Sequence, residues 1–416
     1  MQLSLFDANS ERSLRQEELV DTWVKHKCKG TVVCPTGFGK TKVGLIAIRR
    51  FLNKNPDKVV LVIVPSDPIK IQWEKQISEL NLQAVVRTYY DTSRNKYEAT
   101  LVILDEIQKT GAETLFNTFS NISYRAILGL TATFERLDGR DRLISKYCPV
   151  IAEVTLDEAI AKGWLSSYRE YLVLVEPDDI DKYNELNREF NEHFAFFDYN
   201  FALAMSLATN WQARIAYGKE RGLSKEENKE VLIHAMGFNR TLQGRKKYIN
   251  NHPKKIEIAD LILSHRQDRK CITFSNTIAM AEKIGYGDVY SGKDSVKKGR
   301  IKLEEFLAKP TGVVNSVRKL SEGFNDPSIS VAIFLGFDSS KTKKTQSVGR
   351  VIRAQEGKVA EVFNIVIKNS VEYTWFQNSC TNKDYITIDE ENLINLLEGK
   401  EFTKKKNKQT KMKFRF

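Results

Sequence analysis

Two sets of short apolar runs, separated by longer stretches of helical character, constrain the fold of this chain more than any other feature. The first set occupies residues 31–34, 59–64, 101–104 and 126–128, and the second occupies residues 271–274, 312–314, 330–335 and 360–367. Runs of β-branched and aliphatic residues without polar alternation are typical of strands buried on both faces. Because strands that alternate with helices form parallel sheets, the pattern predicts an α/β fold with two parallel-sheet domains.

The stretch between the two sets has a different composition. Residues 176–264 contain no such run and are rich in Asn, Glu, Lys, Phe and Tyr, which predicts a helical insertion. Its aromatic residues have the spacing of a packed helical core, which we favour over a platform for stacking bases. These residues are Phe190, Phe194, Phe196, Phe197, Tyr199 and Phe201.

A chain of 416 residues is too long for one compact domain. We divide it into a first α/β domain (1–166), a connecting segment with the helical insertion (167–264), a second α/β domain (265–375), and a C-terminal helix with a basic tail (376–416).

The balance of charge indicates a polyanionic partner. The chain has 65 Lys and Arg residues against 53 Asp and Glu residues, a formal net charge of +12. Much of this excess lies in residues 400–416, which hold eight basic residues and one acidic residue. A second cluster comprises Arg245, Lys246 and Lys247. Both clusters have two interpretations, because a charge run is usually a solvated face but can also neutralise phosphates.

The cysteines and the lack of apolar targeting segments indicate the compartment in which the protein works. The five cysteines never form a CxxC pair, which argues against a disulfide framework or a zinc site and fits a reducing compartment. The first residues do not resemble a signal peptide, and no run approaches the roughly 20 apolar residues that span a bilayer. We therefore expect a cytoplasmic protein without a membrane partner.

The strongest chemical signal follows the first apolar run and precedes a helical stretch. It reads Cys34-Pro35-Thr36-Gly37-Phe38-Gly39-Lys40-Thr41. Glycines allow the backbone to turn its N–H groups around phosphate oxygens, Lys40 can reach the β- and γ-phosphates, and the Thr41 hydroxyl can bind Mg²⁺. The strict pattern has Gly where this chain has Cys34. We predict a phosphate loop for ATP with contacts at Pro35, Thr36, Gly37, Phe38, Gly39, Lys40 and Thr41.

A pair of carboxylates, Asp105 and Glu106, ends another apolar run. A carboxylate at the tip of a strand beside a phosphate loop can hold Mg²⁺, which is the role we expect for Asp105. The adjacent Glu106 can polarise the attacking water.

These features, together with later segments in the same order, resemble the superfamily 2 helicases. The segment Gly129-Leu130-Thr131-Ala132-Thr133 resembles the family's threonine-rich linker between hydrolysis and strand movement. Three segments of the second domain resemble its fourth, fifth and sixth motifs: Thr273-Phe274-Ser275-Asn276, residues 315–327, and the QxxGRxxR pattern of residues 346–353. The resemblance spans about residues 12–367.

The resemblance implies two RecA-like domains in tandem that close on ATP and Mg²⁺. It gives catalytic roles to Gln346, Arg350 and Arg353, because guanidinium groups from the second domain stabilise charge on the γ-phosphoryl group. The other ATP contacts that it implies are Gly323, Asn325 and Asp326, and the residues that couple hydrolysis to movement are Gln108, Thr131 and Thr133. The nucleic-acid contacts that it implies are Pro65, Ser66, Gln72, Trp73, Ser275 and Asn276.

Departures from the family pattern indicate a subgroup. The carboxylate box reads Asp-Glu-Ile-Gln and the linker reads Thr-Ala-Thr. Both differ from the RNA-remodelling DEAD-box group and are similar to the DNA-linked group that includes the phage helicase UvsW, XPB-type helicases and restriction-enzyme motors. Asn325 stands where many relatives have Asp, and the neighbouring Asp326 is an alternative for that role. Gln16 is similar to the residue that reads adenine in this group, although a polar Gln on a helix surface is an alternative.

The segment Gln2-Leu3-Ser4-Leu5-Phe6 resembles the pentapeptide that binds the bacterial sliding clamp. In such a peptide Leu5 and Phe6 fill an apolar pocket while Gln2 bonds at its rim. The alternative is that Leu3, Leu5 and Phe6 pack on the first domain.

The sequence therefore predicts an ATP-dependent DNA helicase or translocase of replication, recombination or repair, of the small size seen in phage-encoded members. Two alternatives share the same core. One is an RNA helicase, and the other is an ATP-gated nucleic-acid-binding recruiter that does not unwind.

Overall fold

The fold is built on two mainly parallel β-sheets with a helical insertion between them in the chain. The computed structural model describes residues 10–136, 138–317, 326–337, 348–349, 359–379, 385–402 and 405–406. Among these residues, no helix combines the length and the apolar character that crossing a membrane requires.

The first sheet has six strands in the order β3-β2-β5-β7-β1-β8, and every neighbouring pair is parallel. Its strands are β1 (Lys29–Val33), β2 (Val60–Val64), β3 (Val85–Thr88), β5 (Leu101–Asp105), β7 (Ala126–Thr131) and β8 (Val150–Glu153). A separate ladder pairs β4 (Tyr97–Glu98) with β6 (Ile122–Ser123). Each of the four predicted runs coincides with a central strand to within one residue at its ends, apart from the earlier start of β1 and the later end of β7, and these buried positions demand apolar side chains.

Helices cover the first sheet and position its loops. They are α1 (Glu11–Lys25), α2 (Lys40–Lys54), α3 (Asp67–Glu79), α4 (Tyr89–Thr92), α5 (Glu113–Phe116), α6 (Thr118–Asn121), α7 (Asp141–Tyr147) and α8 (Leu156–Ala161). A 3-10 helix (Ile107–Gly111) directly follows the carboxylate pair at the end of β5.

The insertion is helical, as predicted. Its helices are α9 (Ile180–Ala195), α10 (Phe201–Thr209), α11 (Trp211–Glu220), α12 (Lys225–Asn250) and α13 (Pro253–Ser264). Phe190, Phe194 and Phe197 form a buried core with Phe238 of α12, so the packing interpretation is confirmed for these three rings. The remaining three predicted aromatic residues, Phe196, Tyr199 and Phe201, are 37 to 49% exposed.

The second sheet has eight strands in the order β11-β12-β10-β13-β14-β9-β15-β16, and only the last pair is antiparallel among the described strands. They are β9 (Tyr168–Val175), β10 (Lys270–Ser275), β11 (Asp288–Tyr290), β12 (Gly312–Val317), β13 (Ile329–Phe334), β14 (Ala360–Ile367), β15 (Ile386–Ile388) and β16 (Lys405–Lys406). Its helices are α14 (Ile278–Ala281), α15 (Val296–Ala308), α16 (Val371–Ser379) and α17 (Glu390–Leu397). The expectation of two tandem parallel-sheet domains is confirmed.

The second sheet recruits segments that we place outside its domain on sequence grounds. Strand β9 pairs in register with β14 along its whole length, although its residues lie within 167–264. Helix α13, from the same segment, and helix α17, from residues 376–416, pack apolar side chains against this sheet. The boundaries at 167–264 and 376–416 therefore differ from the observed sheet, because the pairing of distant strands decides which domain a segment joins.

Candidate active site

The phosphate loop connects β1 to α2 and owes its shape to two glycines. Gly37 and Gly39 have φ angles of 93° and 105°, a region that side chains with a Cβ rarely adopt. The first intrahelical hydrogen bond of α2 runs from the Val43 amide to the Gly39 carbonyl at 3.2 Å. The first turn of a helix leaves amides without intrahelical partners, and in α2 this turn lies at the positive end of the helix dipole, which favours an anionic ligand.

Helix α1 binds the carbonyl groups of this loop through two of its side chains. Arg12 donates through Nε to the Phe38 carbonyl at 2.9 Å and through Nη2 to the Gly37 carbonyl, and Gln16 Nε2 donates to Phe38 at 2.8 Å. The C=O and N–H of a trans peptide point in opposite directions. The Gly39 amide therefore faces away from α1, which leaves that face of the loop for phosphate oxygens.

Gln16 is buried, at 1% exposed, which excludes the interpretation as a surface residue. Its amide nitrogen donates a hydrogen bond to the loop, while its Oε1 is buried without a hydrogen-bond partner in the described part of the chain. Arg12, which sequence reasoning did not assign to the site, shares this task. Its position four residues before Gln16, one helical turn away, is the signal that could have identified it.

Phe38 is a second departure, because the family that this chain resembles has a small residue at this position of the loop. Its ring is fully buried and lies 5.4 Å from the ring of Trp164. Cys34 is also fully buried and donates its amide to the Thr131 carbonyl at 2.9 Å. Both departures therefore anchor the ends of the loop in the core.

The carboxylate pair lies at the end of β5, facing the phosphate loop. Lys40 Nζ lies 3.4 Å from Glu106 Oε1. The Glu106 backbone is in the left-handed region, with φ 54° and ψ 52°, a conformation that costs energy in a residue with a Cβ and is concentrated at functional sites. The turn ends the strand and directs Glu106 toward Lys40, while Asp105 remains part of the strand.

The pKa values of the two carboxylates shift in opposite directions because their surroundings differ. Burial, followed by the charge of Glu106, raises the pKa of Asp105 to about 6. Burial also acts to raise the pKa of Glu106, but Lys40, Gln108 and Lys109 outweigh it and lower that pKa below its ordinary value. Glu106 is therefore the more readily ionised of the two.

The donor set suits a divalent cation with bound nucleotide. Asp105 supplies a carboxylate and Thr41 a hydroxyl on the first turn of α2, and hard cations such as Mg²⁺ prefer oxygen ligands. Lys40 offsets one of the two carboxylate charges, so a cation would offset the other. Thr36 adds a hydroxyl that is buried without a partner among the described residues, as a phosphate contact would require.

A chain of hydrogen bonds leads from Glu106 to the threonine-rich linker. Gln108 Nε2 donates to Glu106 Oε2 at 2.7 Å. The Thr131 hydroxyl lies 2.6 Å from Gln108 Oε1 and 2.7 Å from the Thr133 carbonyl. Because one hydroxyl has one proton, Thr131 can donate fully to only one of these acceptors at a time. The structure thus brings together all three residues predicted to couple hydrolysis to movement.

Arg136 extends this chain and was missed from the sequence. Its Nη1 donates to the Gln108 carbonyl at 2.6 Å, and its other nitrogens bind Asp138. The guanidinium hydrogen bond to Asp138 lowers the pKa of that carboxyl to about 2. Gly111 permits the approach, since a Cβ there would lie 2.5 Å from Arg136 Nε. The closeness of Arg136 to the linker in sequence is the signal that could have identified it.

The predicted nucleic-acid contacts in the first domain divide into two groups. Pro65, Ser66 and Gln72 are half-buried where β2 leads into α3. Trp73 is only 1% exposed and donates Nε1–H to Asp105 Oδ2 at 2.9 Å. The polar edge of Trp73 therefore faces inward in this structure, and its contact with nucleic acid stays a prediction.

Three predicted contacts of the second domain and insertion are buried or bonded within the protein, and of these Ser275 has a buried hydroxyl without a hydrogen-bond partner among the described residues. Arg245 is 7% exposed and its guanidinium lies 4.1 Å from the Phe190 ring centroid, so it stabilises the insertion core rather than meeting solvent. Ser275 is buried. Asn276 donates to Asn250 Oδ1 at 2.9 Å, which ties the end of α12 to β10. Of the same basic cluster, Lys246 is half-buried and Lys247 is exposed.

Asp326 has a structural role in this structure. Its Oδ2 accepts a 2.8 Å hydrogen bond from Lys270 Nζ, and both side chains are buried. Lys270 begins β10 and Asp326 precedes β13, so the pair lies at the amino edge of the second sheet. Ligands of parallel α/β sheets bind at the opposite, carboxyl edge, so the position of Asp326 disfavours a contact with ATP.

Several predicted residues lie outside the described part of the chain. They are Gln346, Arg350 and Arg353 of the arginine motif, Gly323 and Asn325 of the fifth motif, and Gln2, Leu3, Leu5 and Phe6 of the first segment. Gly349, within the arginine motif, is described. A Cβ at Gly349 would lie 2.5 Å from Thr36 Cβ, so this glycine of the second domain packs directly against the phosphate loop.

Comparisons with known proteins agree with this arrangement. Residues 10–100 match the family model of the type III restriction enzyme res subunit, and residues 254–355 match that of the helicase conserved C-terminal domain. The DNA 3'-5' translocase XPB2 of Sulfurisphaera tokodaii is 24% identical over 86% of this chain and 82% of its own length. A putative ATP-dependent RNA helicase of African swine fever virus is 32% identical, but over only 26% of each chain.

Two solved structures share the fold. The Hef helicase domain of Pyrococcus furiosus superposes with a TM-score of 0.55 at 16% identity, covering 88% of this chain and 98% of that one. The DNA-bound type ISP restriction-modification enzyme LlaBIII gives a TM-score of 0.56 at 16% identity, covering 88% of this chain and 29% of that one. With a phosphate loop, a carboxylate pair and a threonine-rich linker joined in one site, this chain has the family-model matches and the fold of the superfamily 2 helicases.

Proposed function

We propose that the protein is an ATP-dependent DNA helicase or translocase whose ATP hydrolysis is stimulated by DNA. The observation that carries the proposal is the unbroken path from Lys40 through Glu106 and Gln108 to Thr131. A path of this kind lets a change at the phosphates alter the segment that leads away from the site, which a motor needs.

The first domain binds ATP and activates the attacking water. Loop amides and Lys40 hold the phosphates of ATP, and Lys40 then exchanges part of its contact with Glu106 for the γ-phosphate. Glu106 keeps its hydrogen bond from Gln108 and accepts a proton from the attacking water. Mg²⁺, held by Asp105 and Thr41 when bound, supplies positive charge to the phosphate oxygens.

The second domain completes the site. We propose that Arg350 and Arg353 stabilise the charge that develops on the γ-phosphoryl group, and that Gln346 acts beside them. The close packing of Gly349 on Thr36 supports this assignment, because Gly349 directly precedes Arg350 in the sequence. Closure of the cleft thus depends on ATP, and its opening on hydrolysis.

DNA is the nucleic acid that we favour over RNA. The similarity to a DNA translocase covers most of this chain, whereas the similarity to RNA helicases covers about a quarter of it. We place the activity in replication, recombination or repair of a phage genome, on single-stranded, forked or duplex DNA. The pentapeptide with Leu5 and Phe6 would tether the motor to a host sliding clamp and raise its local concentration.

One set of measurements tests the proposal. ATP turnover is followed with single-stranded DNA, duplex DNA, forked DNA and RNA, beside strand displacement on the same fork. Stimulation by DNA with displacement is the expected result. Stimulation by RNA alone would favour an RNA helicase. DNA-dependent turnover without strand displacement would favour an ATP-gated recruiter that does not unwind.

A further inference from the structure

Trp73 joins two parts of the active site from a buried position, at 1% exposed. It belongs to α3, and its Nε1–H donates to Asp105 Oδ2 at 2.9 Å. Its ring also packs on the helix that begins at Lys40, since a Cβ at Gly44 would lie 2.6 Å from Trp73 Cη2. One buried side chain therefore fixes the distance between α2 and the carboxylate at the end of β5.

A second aromatic residue holds the main chain of the same aspartate. Tyr89 is 1% exposed and donates its hydroxyl to the Asp105 carbonyl at 2.9 Å. With the backbone held by Tyr89 and by strand pairing, the remaining freedom of Asp105 is rotation of its carboxylate. The indole N–H of Trp73 opposes that rotation through a hydrogen bond to a charged acceptor, a strong class of hydrogen bond.

The position of Trp73 in the chain links this contact to α3. Trp73 directly follows Gln72, and α3 begins directly after Ser66. Both Gln72 and Ser66 are half-buried candidates for nucleic-acid contact. Because a helix moves as a rigid element, a shift of α3 caused by nucleic acid also shifts the donor on Asp105.

We propose that Trp73 is a positioning residue that orients Asp105 toward magnesium-bound nucleotide and transmits displacement of α3 to that carboxylate. The proposal rests on the proposed ATPase function. Residues that orient a metal ligand through a hydrogen bond change metal affinity by about 10- to 100-fold when replaced. The change expected for Trp73 is on this scale and is confined to binding that needs the metal.

The test compares two tryptophans of the same domain. Trp73→Phe removes the N–H and keeps an aromatic ring. Trp23→Phe is the matched control, because Trp23 is also buried and donates Nε1–H to a main-chain carbonyl, that of Ile127, at 2.9 Å. Binding of a fluorescent ATP analogue is titrated with Mg²⁺ and, separately, with EDTA, and thermal unfolding is followed for both variants.

Trp73→Phe should weaken binding in Mg²⁺ by about 10- to 100-fold and leave binding in EDTA unchanged, while Trp23→Phe changes neither. Equal affinity of Trp73→Phe and wild type in Mg²⁺ would overturn the proposal. If Trp73→Phe does not fold, Gly44→Ala replaces it, since the new Cβ pushes the indole without touching Asp105. Gly44→Ala should also weaken binding in Mg²⁺ and leave binding in EDTA unchanged. Wild-type affinity of Gly44→Ala in Mg²⁺ would likewise overturn the proposal.

A second titration tests the link to α3. Single-stranded DNA should change the Mg²⁺-dependent affinity in wild type and in Trp23→Phe, but not in Trp73→Phe or Gly44→Ala. A DNA effect that persists in these variants, or is absent from wild type, would overturn the link. Failure of the proposed function is distinguishable, because it would appear as wild-type protein without DNA-stimulated turnover, whereas the first titration contains no DNA.

Discussion

The Thr131 hydroxyl lies 2.6 Å from Oε1 of Gln108, between the end of β7 and the 3-10 helix that follows the carboxylate pair. Gln108 uses its amide N–H on Glu106 and its oxygen on Thr131, so both ends of one side chain are engaged. A change in the protonation or contacts of Glu106 therefore alters what Gln108 offers to Thr131. The second acceptor near Thr131, the Thr133 carbonyl, gives the hydroxyl an alternative position.

Replacing Glu106 by Gln should abolish efficient hydrolysis while ATP still binds. The amide keeps the shape of the carboxylate but cannot accept the proton of water, and loss of a general base slows turnover by at least about 100-fold. Single-turnover hydrolysis and nucleotide binding measure the two effects. Glu113→Gln, at an exposed position, is the control. Wild-type turnover in Glu106→Gln would remove Glu106 from the mechanism.

Replacing Thr131 by Val should uncouple hydrolysis from DNA. Valine fills the same volume but cannot donate to Gln108, and the unpartnered Oε1 lowers the free energy of unfolding by about 1–3 kcal/mol. DNA stimulation of turnover should fall while turnover without DNA persists. Thr110→Val is the control, because Thr110 is buried in the neighbouring 3-10 helix and donates to the Ile107 carbonyl at 2.7 Å. An equal loss of stimulation in both variants would contradict the coupling role.

Replacing Asp326 by Asn should destabilise the second domain without weakening ATP binding. Burial acts to raise the pKa of Asp326, but Lys270 and Ser328 outweigh it and lower that pKa. The ionised pair therefore contributes fully at pH 7, and the contribution is lost as pH falls below about 4. Removing one partner of a buried pair costs about 3–5 kcal/mol.

Denaturation by urea at pH 7, beside nucleotide binding, measures both effects of Asp326→Asn. The double variant Lys270→Met, Asp326→Leu should recover much of the stability, since no buried charge is then left alone. Loss of ATP affinity with unchanged stability would return Asp326 to the nucleotide site.

Deleting residues 403–416 should weaken DNA binding and flatten its dependence on salt. The deletion removes seven basic side chains, and each lost phosphate contact reduces the slope of log K against log salt by about 0.7 on single-stranded DNA. Binding is titrated at several salt concentrations, and maximal turnover at saturating DNA should survive. An unchanged slope would mean that these residues do not contact DNA.

Replacing Leu5 and Phe6 together by Ala should abolish binding to a bacterial sliding clamp. These apolar side chains are the ones that fill the pocket in such peptides. The host clamp is titrated against wild type and the double variant, with ATP turnover as the control for folding. Equal clamp binding by both proteins, or none by either, would leave packing of this segment as its explanation.

The sequence by itself determines the chemistry that depends on local geometry. A glycine-rich turn between a strand and a helix needs only its own backbone angles, and Gly37 and Gly39 adopt the positive φ values that the motif predicts. The central strands could also be located from sequence, because burial on both faces leaves an uninterrupted apolar run. The order of the motifs then indicated which loops share one edge of each sheet.

Only the tertiary structure decided the roles that depend on distant partners. Trp73 and Asp105 are separated by 32 residues, and Lys270 and Asp326 by 56. A tryptophan beside a nucleic-acid segment and an aspartate beside a nucleotide motif have the same sequence signature whether they face outward or inward. Their direction depends on long-range packing, and a buried polar group must find a partner there because leaving it unpaired costs free energy. That requirement places Trp73 on Asp105 and Asp326 on Lys270.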